Sequence, residues 1–220
     1  MTASSPLRRI LLALRTTAGQ IGVIVVALAI AIVVVIGVRS GSKSAAVNSP
    51  SSQFDGPTMP AGLHATGFAL TDWTGRHVSL AGDDGHVVIL TFLHSKCQDA
   101  CPLTAEDIKG ALNLLPANGR GVDPIVITAE PAQDTPASRK AFLAQHEMLG
   151  RMAYLNGPLK QLQRIWNAYH VLPVLPGKPD HTAFTLLIDK KGMLRVGYPA
   201  EQMTPESLAH DIRVLEAEPA

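Results

Sequence analysis

Hydrophobic positions along the chain form one long block and then shorter blocks of two kinds. The long block is Ile21 to Val38, IGVIVVALAIAIVVVIGV, eighteen residues without a charge. At the rise of an α-helix it nearly crosses the hydrocarbon core of a bilayer, and it predicts a transmembrane helix. Residues 39–60 lose this pattern and are rich in Ser, Gly, Pro and Ala, the composition of a flexible tether. Beyond them, strand-like runs alternate with stretches of helical period. FALTDWTGRHVSL predicts two short strands about an Asp-Trp-Thr-Gly turn. HVVILTFL, His86 to Leu93, and DPIVITA, Asp123 to Ala129, are continuous apolar runs, as expected of strands buried on both faces.

Helical stretches separate these runs. Leu103 to Leu115 predicts a helix that Pro102 opens and Pro116, Gly119 and Gly121 close. A second helix starts at Asp134 or Thr135, ahead of Pro136, and stops at Gly150. RMAYLNG is a short strand candidate. GPLKQLQRIWNAYHV then places Leu159, Leu162, Trp166 and Tyr169 on one helical stripe. AFTLLIDKKGMLRVGY predicts a hairpin turning at Asp189 to Gly192. The last segment, MTPESLAHDIRVLEAE, predicts a helix capped by Thr204, with Leu208, Ile212 and Leu215 as its buried stripe. Central strands alternating with helices predict an α/β domain over residues 61–220, a mixed sheet flanked by helices. Two cysteines where a central strand opens into a helix match the layout of thioredoxin-like folds, by analogy of fold.

Charge refines the placement of the long apolar block. Arg8, Arg9 and Arg15 precede it, no acid occurs before Asp55, and only Arg39 and Lys43 follow closely. Positive charge favours the cytoplasmic side. The expected arrangement is a cytoplasmic tail over 1–17, a single-pass anchor in the cell membrane over 18–38, and an extracytoplasmic C-terminal domain. A cleaved signal peptide is the competing reading, because KSAAVNS offers small residues to a peptidase. The block is long and lies well inside the chain, which favours the anchor. The formal net charge of +1 gives no electrostatic case for nucleic acid.

The chain has two cysteines, Cys97 and Cys101, within HSKCQDACP. Outside the cytoplasm such a pair oxidises unless it is kept reduced or metallated. In a regular helix, residues four apart hold their Cβ atoms about 5–6 Å apart, whereas a disulfide needs about 3.8 Å. A bond between them therefore requires Cys97 to lie in the loop ahead of the helix. A metal ion relaxes this limit, since each sulfur binds at about 2.3 Å. A helix N-terminus favours thiolate, which serves as nucleophile and as metal ligand alike.

A metal site would want a third ligand, and eight histidines are available. His64 and His170 carry no distinguishing pattern. His77 and His86 fall at strand edges, and His146 and His210 are placed on solvated helix faces. His94 is near Cys97 in sequence, but its side-chain direction from the strand is undetermined. His181 follows a loop stiffened by Pro173, Pro176 and Pro179 and precedes a strand, and in a thioredoxin-like sheet that segment faces the Cys-bearing helix end. Two sulfurs and an imidazole make a soft site suited to Cu(I), with Cu(II) reachable if an oxygen joins. Asp134 is read as a helix cap and Asp180 as a turn residue, with outer-shell roles open to both.

Three segments resemble the Sco/SenC family of membrane-anchored copper proteins. CQDACP resembles the family's C-x-x-x-C-P. EPAQDTP, Glu130 to Pro136, resembles D-P-x-x-D-T-P, and DHTAFTLLIDKKG, Asp180 to Gly192, resembles D-H-T followed by I-D-x-x-G. DWTGRHVSL also fits. The resemblance implies a thioredoxin-like domain with Cys97, Cys101 and His181 as copper ligands. It also implies delivery of copper to the CuA centre of cytochrome c oxidase subunit II or another extracytoplasmic copper protein, or reduction of that centre's cysteines, with a thiol reductant to reset the pair. Glu130 replaces the usual Asp, Lys96 precedes the first Cys, and FLHSKC departs from the family's aromatic- and Thr-containing version.

Two other readings of the pair stand beside the metallochaperone. One is a structural disulfide. The other is a thiol-disulfide oxidoreductase using Cys97 and Cys101 as its catalytic redox pair. Against it stand the four-residue spacing and the lack of a proline directly before FTLLID, where thioredoxins carry one that docks substrate.

Overall fold

The computed structural model describes residues 52–80, 85–171 and 184–220. The expected tail and anchor, over 1–38, lie outside the described residues, as do Asp180 and His181. Among the described residues no helix is long and apolar enough to cross a membrane. The compact unit begins at Ser52.

Among the described residues, seven strands and four α-helices make up this unit. They are β1 (Ala69–Thr71), β2 (His77–Ser79), β3 (Val87–Leu93), α1 (Ala100–Leu114), β4 (Val122–Thr128), α2 (Pro136–Gln145), β5 (Ala153–Leu155), α3 (Leu159–Ala168), β6 (Phe184–Ile188), β7 (Leu194–Pro199) and α4 (Pro205–Ala217). The main sheet has the order β5-β4-β3-β6-β7, and β1 pairs with β2 as a separate hairpin. β3, β4 and β5 run parallel, while β6 opposes β3 and β7 opposes β6. This is the mixed sheet of a thioredoxin-like fold.

The central strand shows why its sequence lacks alternation. Val87, Ile89 and Leu93 enter one core with residues of α1, α2 and α4, while Val88, Leu90 and Phe92 enter a second core with residues of α3 and β1. Both faces are dry, and the strand's one polar residue, Thr91, is buried with its hydroxyl donating to the Phe184 carbonyl at 3.0 Å. Pro124 is tolerated in β4 because β5 pairs only with Ile125 to Ile127, leaving no partner on that side at 124.

The C-terminal helix follows its sequence signals closely. Thr204 accepts from the Ser207 amide in a reciprocal capping box, and Leu208, Ile212 and Leu215 are buried. Three other expectations change. α2 ends at Gln145, not Gly150, because Glu147 turns to a positive φ and Met148 folds back into the core. In α3 the buried face is Leu162, Ile165 and Trp166, and Leu159 stands 55 % exposed. His146 is not on a solvated face: it is buried, with Nδ1 2.9 Å from Glu106 Oε1 and its ring tilted against that of Phe142.

Residues 52–60, read as the end of a tether from their composition, pack onto the domain. Phe54 is buried, and Thr58 bridges to Val196 of β7. Buried Asp211 of α4 accepts from the amides of Asp55 at 2.7 Å and Gly56 at 3.0 Å, and from the Tyr198 hydroxyl. Gly56 is required there, since a Cβ would come within 2.4 Å of the Tyr198 ring.

Candidate metal and thiol site

The cysteines stand where the central strand gives way to a helix. β3 ends at Leu93, and residues 94–99 turn into α1. The Cys97 amide donates to the His94 carbonyl at 3.1 Å, which curls the loop and brings residues 94 and 97 together. α1 begins at Ala100, three residues earlier than its sequence suggests, with Asp99 at its N-cap making no side-chain hydrogen bond. Cys97 therefore lies in the loop and Cys101 in the first turn. Cys101 is buried and Cys97 half-buried, and no disulfide joins them. The Cys101 amide points at Cys97 Sγ across 3.4 Å.

This arrangement lowers the Cys97 pKa from 9.0 to about 3. The hydrogen bond from the Cys101 side chain contributes most. The His94 side chain and the amides of Asp99 and Cys101 add to it, against burial, which opposes the charge. At neutral pH the group is a thiolate, ready as nucleophile or soft ligand. Because the folded value lies below the ordinary one, the contribution to stability is full above about pH 9 and declines as pH falls. It is lost as pH falls through about 3. Alkylation of reduced Cys97 by iodoacetamide is expected to keep a nearly constant rate from about pH 8 down to pH 5, where an ordinary thiol slows roughly tenfold per pH unit. A rate falling in that ordinary way would show an unperturbed thiol.

Asp134 holds the loop in place from below. It is fully buried. One carboxylate oxygen accepts from the Ser95 amide at 2.7 Å, and the other from the hydroxyls of Thr128 at 2.5 Å and Tyr154 at 2.8 Å. Asp134 is thus no helix cap; Thr135 caps α2 by accepting from Ser138. Burial pushes the Tyr154 hydroxyl well above its ordinary value, which keeps it a donor. Ser95 Oγ also donates to Ser138 Oγ at 2.9 Å. The Cys loop is therefore tied to β4, β5 and α2 together.

His94 joins the cysteines. One ligand atom each from His94, Cys97 and Cys101 lie within 4.8 Å of one another. Donors on opposite sides of one soft metal ion would be roughly 4.3–4.6 Å apart, so the group needs little closure to share an ion. The strand pattern leaves the direction of the His94 ring undetermined, because the turn that sets it follows the strand. A second group with ligand spacing, Asp55, His210 and Asp211, holds the N-terminal segment instead: the Asp211 oxygens already accept two amides and a hydroxyl.

The SCO1/SenC family model matches residues 57–216, which is most of the chain and includes this whole site. The chain belongs to the SCO1/SenC family. It is 30% identical to protein SenC of Rhodobacter capsulatus over 154 residues, covering 66% of this chain and 67% of that protein. An SCO2-like protein of Rickettsia prowazekii is 26% identical over 133 residues, covering 57% of this chain and 64% of the relative. The match thus spans about two thirds of the length of these SCO relatives. Among solved structures, Bradyrhizobium japonicum ScoI with copper bound superposes with a TM-score of 0.59 at 26% identity, covering 70% of this chain and 99% of ScoI. Family membership and the sheet order agree on the thioredoxin-like fold.

Proposed function

We propose that this chain binds copper as cargo through Cys97 and Cys101 and passes it to the CuA centre of cytochrome c oxidase subunit II. It would do so from the outer face of the cell membrane, anchored by residues 18–38. The observation that carries this reading is the clustering of two thiols and an imidazole within 4.8 Å at the head of α1. Soft sulfur donors with few partners favour Cu(I). A relative, ScoI, is solved with copper bound. His181 is the further ligand that the D-H-T motif implies. The CuA recipient follows from the family resemblance of the motifs.

A second reading has its own support. A half-buried thiolate beside a buried thiol is also what a thiol-disulfide exchanger presents. In that role Cys97 attacks a disulfide of the CuA cysteines, Cys101 closes onto Cys97, and two thiols are left on the partner. An external thiol reductant then resets the pair.

One experiment separates the two. The copper-loaded chain is mixed with the reduced, metal-free soluble domain of subunit II, and the CuA absorption is followed. Delivery predicts its growth with loss of copper from this chain. In a parallel arm the copper-free reduced chain meets the same domain with its cysteines oxidised. Thiol reduction predicts two new partner thiols and a Cys97–Cys101 disulfide. Failure of both arms contradicts both roles.

A further inference from the structure

We propose that the cleft bounded by Pro131 and Ala132, the end of β5 and the start of α3 is a docking site for a protein partner. The partner sets a carboxylate on Arg139 and an apolar side chain on Leu159. This contact is separate from the cysteine pair and holds whether the pair delivers copper or reduces thiols.

Arg139 is the first observation. It lies on α2, is only 3 % exposed, and lines a cleft of about 520 Å³. Its Nη1 donates to two backbone carbonyls, Thr71 at 3.1 Å and Tyr154 at 2.8 Å. Nε is buried without a hydrogen-bond partner. Burial lowers the pKa of the group, and Asp134 and Asp72 oppose this only through space. Their oxygens are bonded to other donors: Ser95, Thr128 and Tyr154 on Asp134, Thr74 and Arg76 on Asp72. Two carbonyls need only one nitrogen with two hydrogens, which a neutral amide supplies. The guanidinium brings in addition a permanent charge and its Nε–Nη2 edge, a fork that takes a carboxylate by two parallel bonds.

The cleft supplies a second, independent attraction for an anion. Leu159, the first residue of α3, lines it, and Pro158 caps that helix with no side-chain hydrogen bond and no acid in the first turn. The positive end of α3 is therefore uncompensated. The walls are already fixed: Asn156 Nδ2 donates to the carbonyls of Asp134 at 2.9 Å and Pro131 at 3.3 Å, and its Oδ1 accepts from the Gly157 amide at 2.7 Å. Little order has to be gained on binding. Leu159 is 55 % exposed at the rim. A small free anion leaves it in water, whereas a protein segment with an acidic residue beside an apolar one covers both. The position suits such a partner. β3, β4 and β5 run parallel, and the cleft opens where β4 and β5 end, as the cysteine loop does where β3 ends. Asp134 joins the two, with its carbonyl on Asn156 and its carboxylate on Ser95.

The test uses the full chain in detergent, isotopically labelled so that backbone and arginine N–H signals are followed by NMR at constant ionic strength. The probes are the peptide acetyl-Gly-Leu-Glu-Gly-amide, the same peptide with Gln in place of Glu, and sodium acetate. The Glu peptide is expected to move the Arg139 Nε–H signal and the Gly157 and Leu159 amides together along a saturating curve. The Gln peptide, which lacks the charge, and acetate, which lacks the apolar contact, are each expected to bind at least about tenfold more weakly. Leu159→Ser, at an exposed position, is expected to weaken the Glu peptide at least about threefold and to leave acetate binding unchanged. Arg139→Lys keeps the charge without the fork and is expected to cut the preference for Glu over Gln at least about threefold. Should that variant unfold, the wild-type and Leu159→Ser titrations still decide. The proposal is overturned if the Glu peptide leaves the Arg139 Nε–H signal in place, or if the Gln peptide binds equally well. Acetate binding as tightly as the Glu peptide would reveal a site for free anions and overturn the docking of a protein partner.

Discussion

Asp134→Ala is expected to destabilise the domain by about 3–5 kcal/mol, the range for removing one partner from a buried charged network. The reason is the count of donors that lose their acceptor out of reach of water. The Ser95 amide and the Thr128 and Tyr154 hydroxyls all converge on this carboxylate. Each buried donor left alone costs about 1–3 kcal/mol. Asp134→Asn is the milder change, since its amide oxygen keeps one acceptor while its NH2 faces a donor. Urea unfolding of the reduced chain measures both. The loss should be accompanied by faster alkylation of Cys101, because the loop that shields it is no longer tied down. A change of under about 1 kcal/mol would show that water replaces the carboxylate.

Cys101→Ser is expected to lower Cu(I) affinity at least roughly a thousandfold, about 4 kcal/mol. A hydroxyl is a hard, protonated donor at neutral pH and does not replace a thiolate on Cu(I). Cys97→Ser acts directly and should match or exceed this effect. Cys101 is buried and small, so serine fits its space and the fold should persist. Chelator competition, with circular dichroism as the check on folding, reads the change. An affinity drop of less than tenfold for both variants would place the copper elsewhere.

How much of this is legible in the chain depends on the range of the forces involved. β3 and β4 are plain because both faces are dry and every position is apolar or nearly so. α4 is plain because its cap, Thr204, and its stripe are local. The start of α1 is hidden because Asp99 makes no side-chain cap, so no local signal marks it. Asp134 has the sequence context of a cap because it precedes Thr135 and Pro136. Its actual partners, Ser95, Thr128 and Tyr154, are on three other parts of the chain, and only packing brings them together. His146 reads as solvated for a similar reason: Glu106 and Phe142 enclose it, and Glu106 comes from another helix. The cysteine pair is readable from spacing and position. The place of His94 beside it is not, because the turn that sets it, closed by the bond from the Cys97 amide to the His94 carbonyl, follows the strand and leaves no pattern in the sequence.

The most direct test of copper binding at the cysteine pair is a Cu(I) titration of the reduced full chain against a competing chelator, with thiols counted in the same sample. One equivalent withheld from the chelator by chain with both thiols intact, and none withheld once Cys97 and Cys101 are oxidised, is the predicted result. Reduced chain with two measured thiols that leaves all the copper on the chelator would contradict it.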